Sequence, residues 1–367
     1  MSSRARVPLG RRNALAEPRR LLAAVGGVGL ALMLILLLDG LWAGIETSIT
    51  TYEDHVGADL YVAQPGARNF IGAVSQIPVD TVVKVRADPD VEWAAPVRSF
   101  LSIVGVHDRK VPVNVIGYTP GEAGGPWELR AGRAPTSDDE VVVGSTLARQ
   151  HGVGVGDQLD LLGTRFSVVG TTTDAFMVSF VFMTHDAADA LVRSPDTTSF
   201  VLIGAADSAA VRSRLEAAGL TVLDRGTLAR NDLGVVARAY KVPLTVMRGV
   251  AFVVGSLVIA LTTYSAIAER SREYGIVKAI GARGRDLLRV ALQQSMIISV
   301  GGMAAGGVLY IVGRAVIVAA RPQFAIVATA GNVGRALIAA LLMGLIACVV
   351  PARRLMRLEP ATAYRGG

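Results

Sequence analysis

The chain has 367 residues, 51% of them hydrophobic and only 18% charged, and its mean hydropathy of +0.46 is too apolar for the surface of an ordinary water-soluble protein. The net charge of +7 comes from 33 Arg and four Lys; the arginines bracket apolar runs and do not interleave with aromatics, which excludes a nucleic-acid-binding surface. A single cysteine, Cys348, excludes an intrachain disulfide, so any water-exposed domain must be held by its core.

Residues 1–20 carry six Arg and form a basic N-terminal segment. The next 22 residues, 21–42, are uncharged and Leu-rich as far as Leu38, long enough at about 1.5 Å per residue to cross a hydrocarbon core of about 30 Å. A signal peptide also follows a basic start, but this run is long and no A-x-A site follows cleanly, so it reads as a first transmembrane helix. Asp39, near its outer end, is the one acidic side chain inside a predicted span and reads as an interface residue rather than a proton relay.

Residues 43–247 lose the long apolar runs and read as an α/β domain with a helical stalk before the second span. Strands are predicted at 59–62, 97–106, 111–117, 141–143, 158–162, 166–170 and 200–204, with helices at 146–150 and 208–218. Over 232–248 the apolar positions Leu233, Val236, Tyr240 and Leu244 follow a helical face, with Pro243 as a possible break. Further spans follow at 248–268, 290–313 and 332–351, separated by a charged segment at 269–289 and a loop at 314–331, and a tail covers 352–367.

Orientation follows from Lys and Arg in the short flanks. Residues 1–20, 269–289 and 351–367 together carry sixteen, 314–335 carries three, and 43–248 has 18 basic against 24 acidic side chains. The expected arrangement is a multi-pass protein of the cell (inner or plasma) membrane with both termini cytoplasmic and residues 43–247 outside. Its fold class is an α-helical membrane protein with four transmembrane helices plus a large extracytoplasmic α/β domain between helices 1 and 2.

No lysine follows a glycine, so no Walker A motif is present. His55, His107, His151 and His185 are too far apart for a local metal-ligand pattern, the glycines at 152, 154 and 156 mark a turn rather than a dinucleotide fingerprint, and no nucleophile–base motif appears. The expectation is a non-catalytic chain with no catalytic, cofactor or metal residues. Gly302 and Gly306, and Gly26, Gly27 and Gly29, have the spacing of close helix packing.

The segment ERSREYGIVKAIGA at 269–282 is a short amphipathic element between two spans, with Ile276, Ala279 and Ile280 apolar and Arg270, Arg272, Glu273 and Lys278 charged. A basic loop that anchors by charge bias is one reading of its composition. In its order of residues the segment resembles the MacB/FtsX/LolC-type (type VII) ABC transporter permeases. PARR at 351–354 and LEPA at 358–361, with GRAP at 132–135, DEVVVG at 139–144 and FSVVG at 166–170, are similar to that family's C-terminal ending and periplasmic core.

The resemblance implies a permease subunit in which 269–289 is a coupling helix, with Glu269, Arg270, Arg272, Glu273, Gly275, Ile276, Lys278 and Gly281 meeting a separate ABC ATPase. It implies two copies of that ATPase, which binds the ATP and Mg while this chain binds no cofactor, and a homodimer of the permease or a heterodimer with a paralogue. Membrane lipids surround it, and an extracytoplasmic adaptor or hydrolase is a further partner. The family's motion is mechanotransmission: ATP-driven closure is passed through the spans to the outer domain. Without a fused ATPase the chain looks like the split-gene branch. Two functions stay open: export or extraction of a hydrophobic or amphipathic substrate, and FtsX-like signalling to an extracytoplasmic cell-wall hydrolase.

Overall fold

The computed structural model describes residues 17–72, 75–106, 109–174, 179–279, 284–321 and 324–357. His107 and Gly281, Ile280 and Ala282, and the 358–361 motif lie outside the described residues. The chain divides into two compact units, one of residues 44–239 with 322–325, and one of the segments up to Ala43, from Tyr240 to Arg321 and from Ile326 onward.

The first element is α1 (Pro18–Ser48), which opens on a proline whose missing N–H falls among the unpaired donors of a first turn. Then come α2 (Thr51–His55), β1 (Leu60–Ala63), β2 (Ile77–Pro78), α3 (Asp80–Arg86), β3 (Val91–Val106), β4 (Arg109–Tyr118), β5 (Leu129–Gly132) and β6 (Glu140–Gly144). They are followed by α4 (Ser145–His151), β7 (Gln158–Leu161), β8 (Thr164–Thr172), β9 (Ser179–Thr184), α5 (His185–Val192), β10 (Thr197–Thr198), β11 (Phe200–Ala205), α6 (Ser208–Ala217) and β12 (Thr221–Asp224). The last elements are α7 (Arg225–Glu269), α8 (Ser271–Ala279), α9 (Gly284–Ala320), α10 (Ala330–Ala347) and α11 (Val349–Arg357).

The mixed unit is built on a ten-stranded sheet. Strands β3, β4, β9, β6, β8 and β7 pair in turn, and β7 pairs again with β3 through Val104 and Gly105, so six strands close a ring. The 16-residue β3 joins two parts of this sheet: its first half pairs with β11 and its second half reaches β7. Alternation along β8 sends Phe166 and Val168 inward, where they meet Val104, Val113, Val115, Leu159, Leu161 and Val181. A second core gathers Tyr52, Tyr61, Phe70, Phe180, Phe182 and Phe200, and Tyr52 stacks on Phe70 at 4.7 Å. Each of these fully buried rings contributes about 2–3 kcal/mol by the area it removes from water. Thr184 caps α5 by accepting from the N–H of Ala187 at 3.2 Å, and Gly152 ends α4 in the left-handed conformation (φ +66°).

Among the described residues of the helical unit, four helices are long and apolar enough to cross a membrane, in α1, α7, α9 and the run from α10 into α11. They overrun the limits expected from apolarity. α9 begins at Gly284 and ends at Ala320, because charge marks where a chain leaves hydrocarbon and not where its backbone stops bonding to itself. The expected coupling helix of 269–289 is likewise divided: α8 stops at Ala279, and residues 284–289 belong to the first turns of α9. Pro243 lies inside α7 without interrupting it.

Helix α1 meets α9 where glycines allow backbone approach. An added Cβ at Gly306 would lie 2.9 Å from the carbonyl oxygen of Gly29, one at Gly29 would lie 3.0 Å from Cβ of Ala305, and one at Gly302 would overlap Val28. Gly302→Ile is therefore expected to destabilise the helical unit by about 1–3 kcal/mol through overpacking. The measure is alkylation of Cys348, a buried thiol, at a lower temperature than in the parent; unchanged alkylation would contradict the packing role.

Candidate functional site

At one end of the helical unit, α8 hangs between two long helices. Its covered side is Tyr274 and Gly275, both buried, with Tyr274 packed among Ile267, Leu287, Val290, Ala291 and Ala352. The sequence placed the apolar face at Ile276, Ala279 and Ile280. Here Ile276 is 41% exposed, and Ala279 is exposed with it. The larger ring of Tyr274 takes the place against the bundle, and spacing alone could not say which side a tertiary partner would cover. Arg272, Glu273, Ile276 and Ala279 thus form an open, mixed apolar and charged surface, while Lys278 is half-buried.

Glu269 and Arg270 face the start of α1 instead. Arg20 donates from Nη1 to Oε2 of Glu269 at 2.7 Å and to Oε2 of Glu17 at 3.3 Å, and from Nη2 to the Thr262 carbonyl at 3.4 Å. Arg270 lies 3.7 Å from Glu17, and Ser265 donates to Glu269 at 3.2 Å. The result is a four-charge clasp that fastens α1 to the end of α7, directly before α8.

A second polar knot joins α1, α7 and α10. Asp39 is 2% exposed, and its carboxylate accepts from the guanidinium of Arg248 and, at 3.3 Å, from Nε of Arg335. Asn332 donates to the carbonyls of Asp39 and Val327, both at 3.2 Å, and accepts from Arg335 at 2.6 Å. The Val327 N–H bonds to the Gly40 carbonyl at 3.0 Å. A buried carboxylate requires such pairing. Asp39 is therefore an interface residue between helices of one chain, and its arginine partners were not recognised from sequence; their signal was that Arg248 and Arg335 stand at the ends of two other apolar stretches.

Among the described residues no three His, Cys, Asp or Glu come together to hold a metal. His185 is buried, contacts Thr198 at 3.1 Å and Asp189 at 3.4 Å, and burial holds its pKa below the usual value. His55 stacks on Trp127 at 5.4 Å.

Comparison with known proteins adds sequence relationships to this geometry. The MacB-like periplasmic core domain family matches residues 21–218, and the FtsX-like permease C-terminal family matches residues 245–360. The chain is 29% identical over 357 residues to the uncharacterized ABC transporter permease Rv0072 of Mycobacterium tuberculosis, covering 95% of this chain and 96% of that one. It is 28% identical over 234 residues to the pyoverdine export ATP-binding/permease protein PvdT of Pseudomonas syringae pv. tomato, covering 57% of this chain and 35% of that protein. Among solved structures, the periplasmic region of MacB from Actinobacillus actinomycetemcomitans aligns with a TM-score of 0.38 at 12% identity, covering 50% of this chain and 96% of that one.

Proposed function

The chain belongs to the MacB/FtsX-type ABC transporter permeases, and from that premise we propose that it is the non-catalytic membrane subunit of a transporter whose separate ATPase docks on the open face of α8. The α1, α7, α9 and α10–α11 helices span the cell membrane, with both termini and α8 in the cytoplasm and the mixed unit outside. Rows of exposed apolar side chains, such as Val253, Leu257 and Leu261 on α7 and Val308, Ile311 and Val312 on α9, suit contact with lipid.

The observation that carries the mechanical part of the proposal is the clasp. A push on α8 reaches α7 through one residue of chain and α1 through Arg20 and Glu269, so two spans receive it together. Toward the C-terminal end of α1 and midway along α7, the Asp39 knot holds α1, α7 and α10 in register. In the spans Asp39 is held by Arg248 and Arg335 and no other acidic side chain is present to line a polar path, which supports force transmission to the outer domain over conduction of a polar solute. Export or extraction of a hydrophobic or amphipathic substrate is the function that fits such a machine, and the export named for PvdT supports that direction. ATP and Mg belong in the partner, since this sequence has no P-loop.

The test is gentle-detergent purification of the chain from its native membrane, with mass spectrometry of what accompanies it. An ATPase in about equal amount is the expected result. Its absence from repeated preparations that retain the folded permease would overturn the proposal.

A further inference from the structure

The mixed unit buries an acid pair that the proposed mechanism does not use. Glu53 on α2 is 0% exposed, and neither oxygen of its carboxyl has a hydrogen-bond donor. Its neighbour is Asp232 on α7, 1% exposed, which accepts the backbone N–H groups of Phe70 and Ile71, each at 3.0 Å. The adjacent Asn231 donates to the Arg68 carbonyl at 2.7 Å. Two consecutive residues of α7 therefore hold the 68–71 segment, and Phe70 in turn stacks on Tyr52 and lies 4.9 Å from Phe200.

The charged groups acting on Glu53 are Asp232 from α7 and its own neighbour Asp54, both acidic. From β1 comes the Tyr61 hydroxyl, buried and without a partner, and from α2 the Tyr52 hydroxyl, which donates to the Gly124 carbonyl at 3.0 Å. Arg225 and Asp59 reach Tyr61. Among the described residues no cation is among the groups acting on the pair, and two bare carboxylates side by side and shut off from solvent are not sustainable. A proton is the ligand that resolves this: protonated Glu53 gains a hydroxyl that can be offered to Asp232, which already receives two N–H groups.

We propose that Glu53 and Asp232 form a proton-binding pair that keeps the 68–71 segment fastened to α7 while protonated and releases it as the medium turns alkaline. Burial first, then the neighbouring Asp232 charge, hold the Glu53 carboxyl well above the ordinary carboxylate range, and burial pushes Asp232 up to about 6. Both folded values exceed the unfolded ones, so the closed arrangement binds protons more tightly than an open, hydrated one. Its advantage is complete below the ordinary carboxylate range and is lost as pH rises through the raised folded values of the pair. The inference concerns the domain alone and does not depend on the ATPase; only its exposure to external pH rests on the orientation proposed above.

Two measurements on the purified full chain in detergent test it. Infrared spectra recorded across a pH titration should show the C=O stretch of a protonated carboxylic acid that persists above the ordinary carboxylate range and is absent in Glu53→Gln. Hydrogen exchange of the 68–71 peptide, corrected for the intrinsic pH dependence, should accelerate with rising pH, by up to about tenfold per pH unit wherever the closed form holds one more proton. Glu53→Gln, which keeps a donor toward Asp232, should flatten most of this dependence. Absence of the Glu53-dependent band would overturn the shared proton, and pH-independent exchange in the parent would overturn the fastening role. Should Glu53→Gln fail to fold, Asp232→Asn serves in its place, with the parent's exchange profile deciding the outcome.

Discussion

Asp39→Ala is expected to destabilise the helical unit more than any other single change in its polar contacts. The carboxylate is 2% exposed and accepts from two guanidinium groups on different helices, so its removal leaves Arg248 and Arg335 facing each other without a counter-charge. Removing one partner of a buried ion pair costs roughly 3–5 kcal/mol. The lower end applies here, because the Arg248 and Arg335 side chains are 28% and 57% exposed and can turn toward water. The same exposures set an order among the variants, with Arg248→Met costing more than Arg335→Met. With two units in the chain, a single melting curve is not a two-state quantity. Alkylation of Cys348, which is buried in the helical unit, reads that unit alone. A double variant Asp39→Ala with Arg248→Met that is less damaged than the sum of its singles would show direct coupling; strict additivity would show that the knot is incidental to stability.

The knot also marks where sequence reasoning reaches its limit. Four long apolar stretches were legible as candidate membrane helices, because length and apolarity are local properties. The partner of Asp39 is not local: Arg248 is 209 positions away and Arg335 296. In the mixed unit, strands with β-branched alternation such as β8 were legible, and β3 was recognised but begins at Val91, ahead of the expected 97. β9 was missed, since all six of its residues are buried and a short two-sided run carries no period. The closure of the ring through β7 and β3 has no signature in either strand. Glu53 and Asp232 look in sequence like any two surface acids; only the fold shows that both are buried. For α8, the motif identified the segment, and the fold reassigned its faces.

That reassignment separates two roles that the motif combines. If the ATPase docks on the open face of α8, then Ile276→Asp or Arg272→Glu, both at exposed positions, should weaken association by at least tenfold, the scale of a lost contact worth about 1.4 kcal/mol or more, while leaving the fold intact. The clasp should behave differently. Arg20→Glu puts three acids together with Glu17 and Glu269 and breaks a pair at 2.7 Å, yet alters nothing on the open face. Such exposed ion pairs contribute at most about 1 kcal/mol to stability, so the variant should fold and still bind the ATPase. What it should lose is stimulation of ATP hydrolysis by substrate or by the permease, because α1 no longer moves with α7. Combining Arg20→Glu with Glu269→Arg restores an opposite-charge pair between the same helices and should recover part of that stimulation. Recovery identifies the clasp as the element that positions α8; loss of ATPase binding in Arg20→Glu would instead place Arg20 in the docking surface itself.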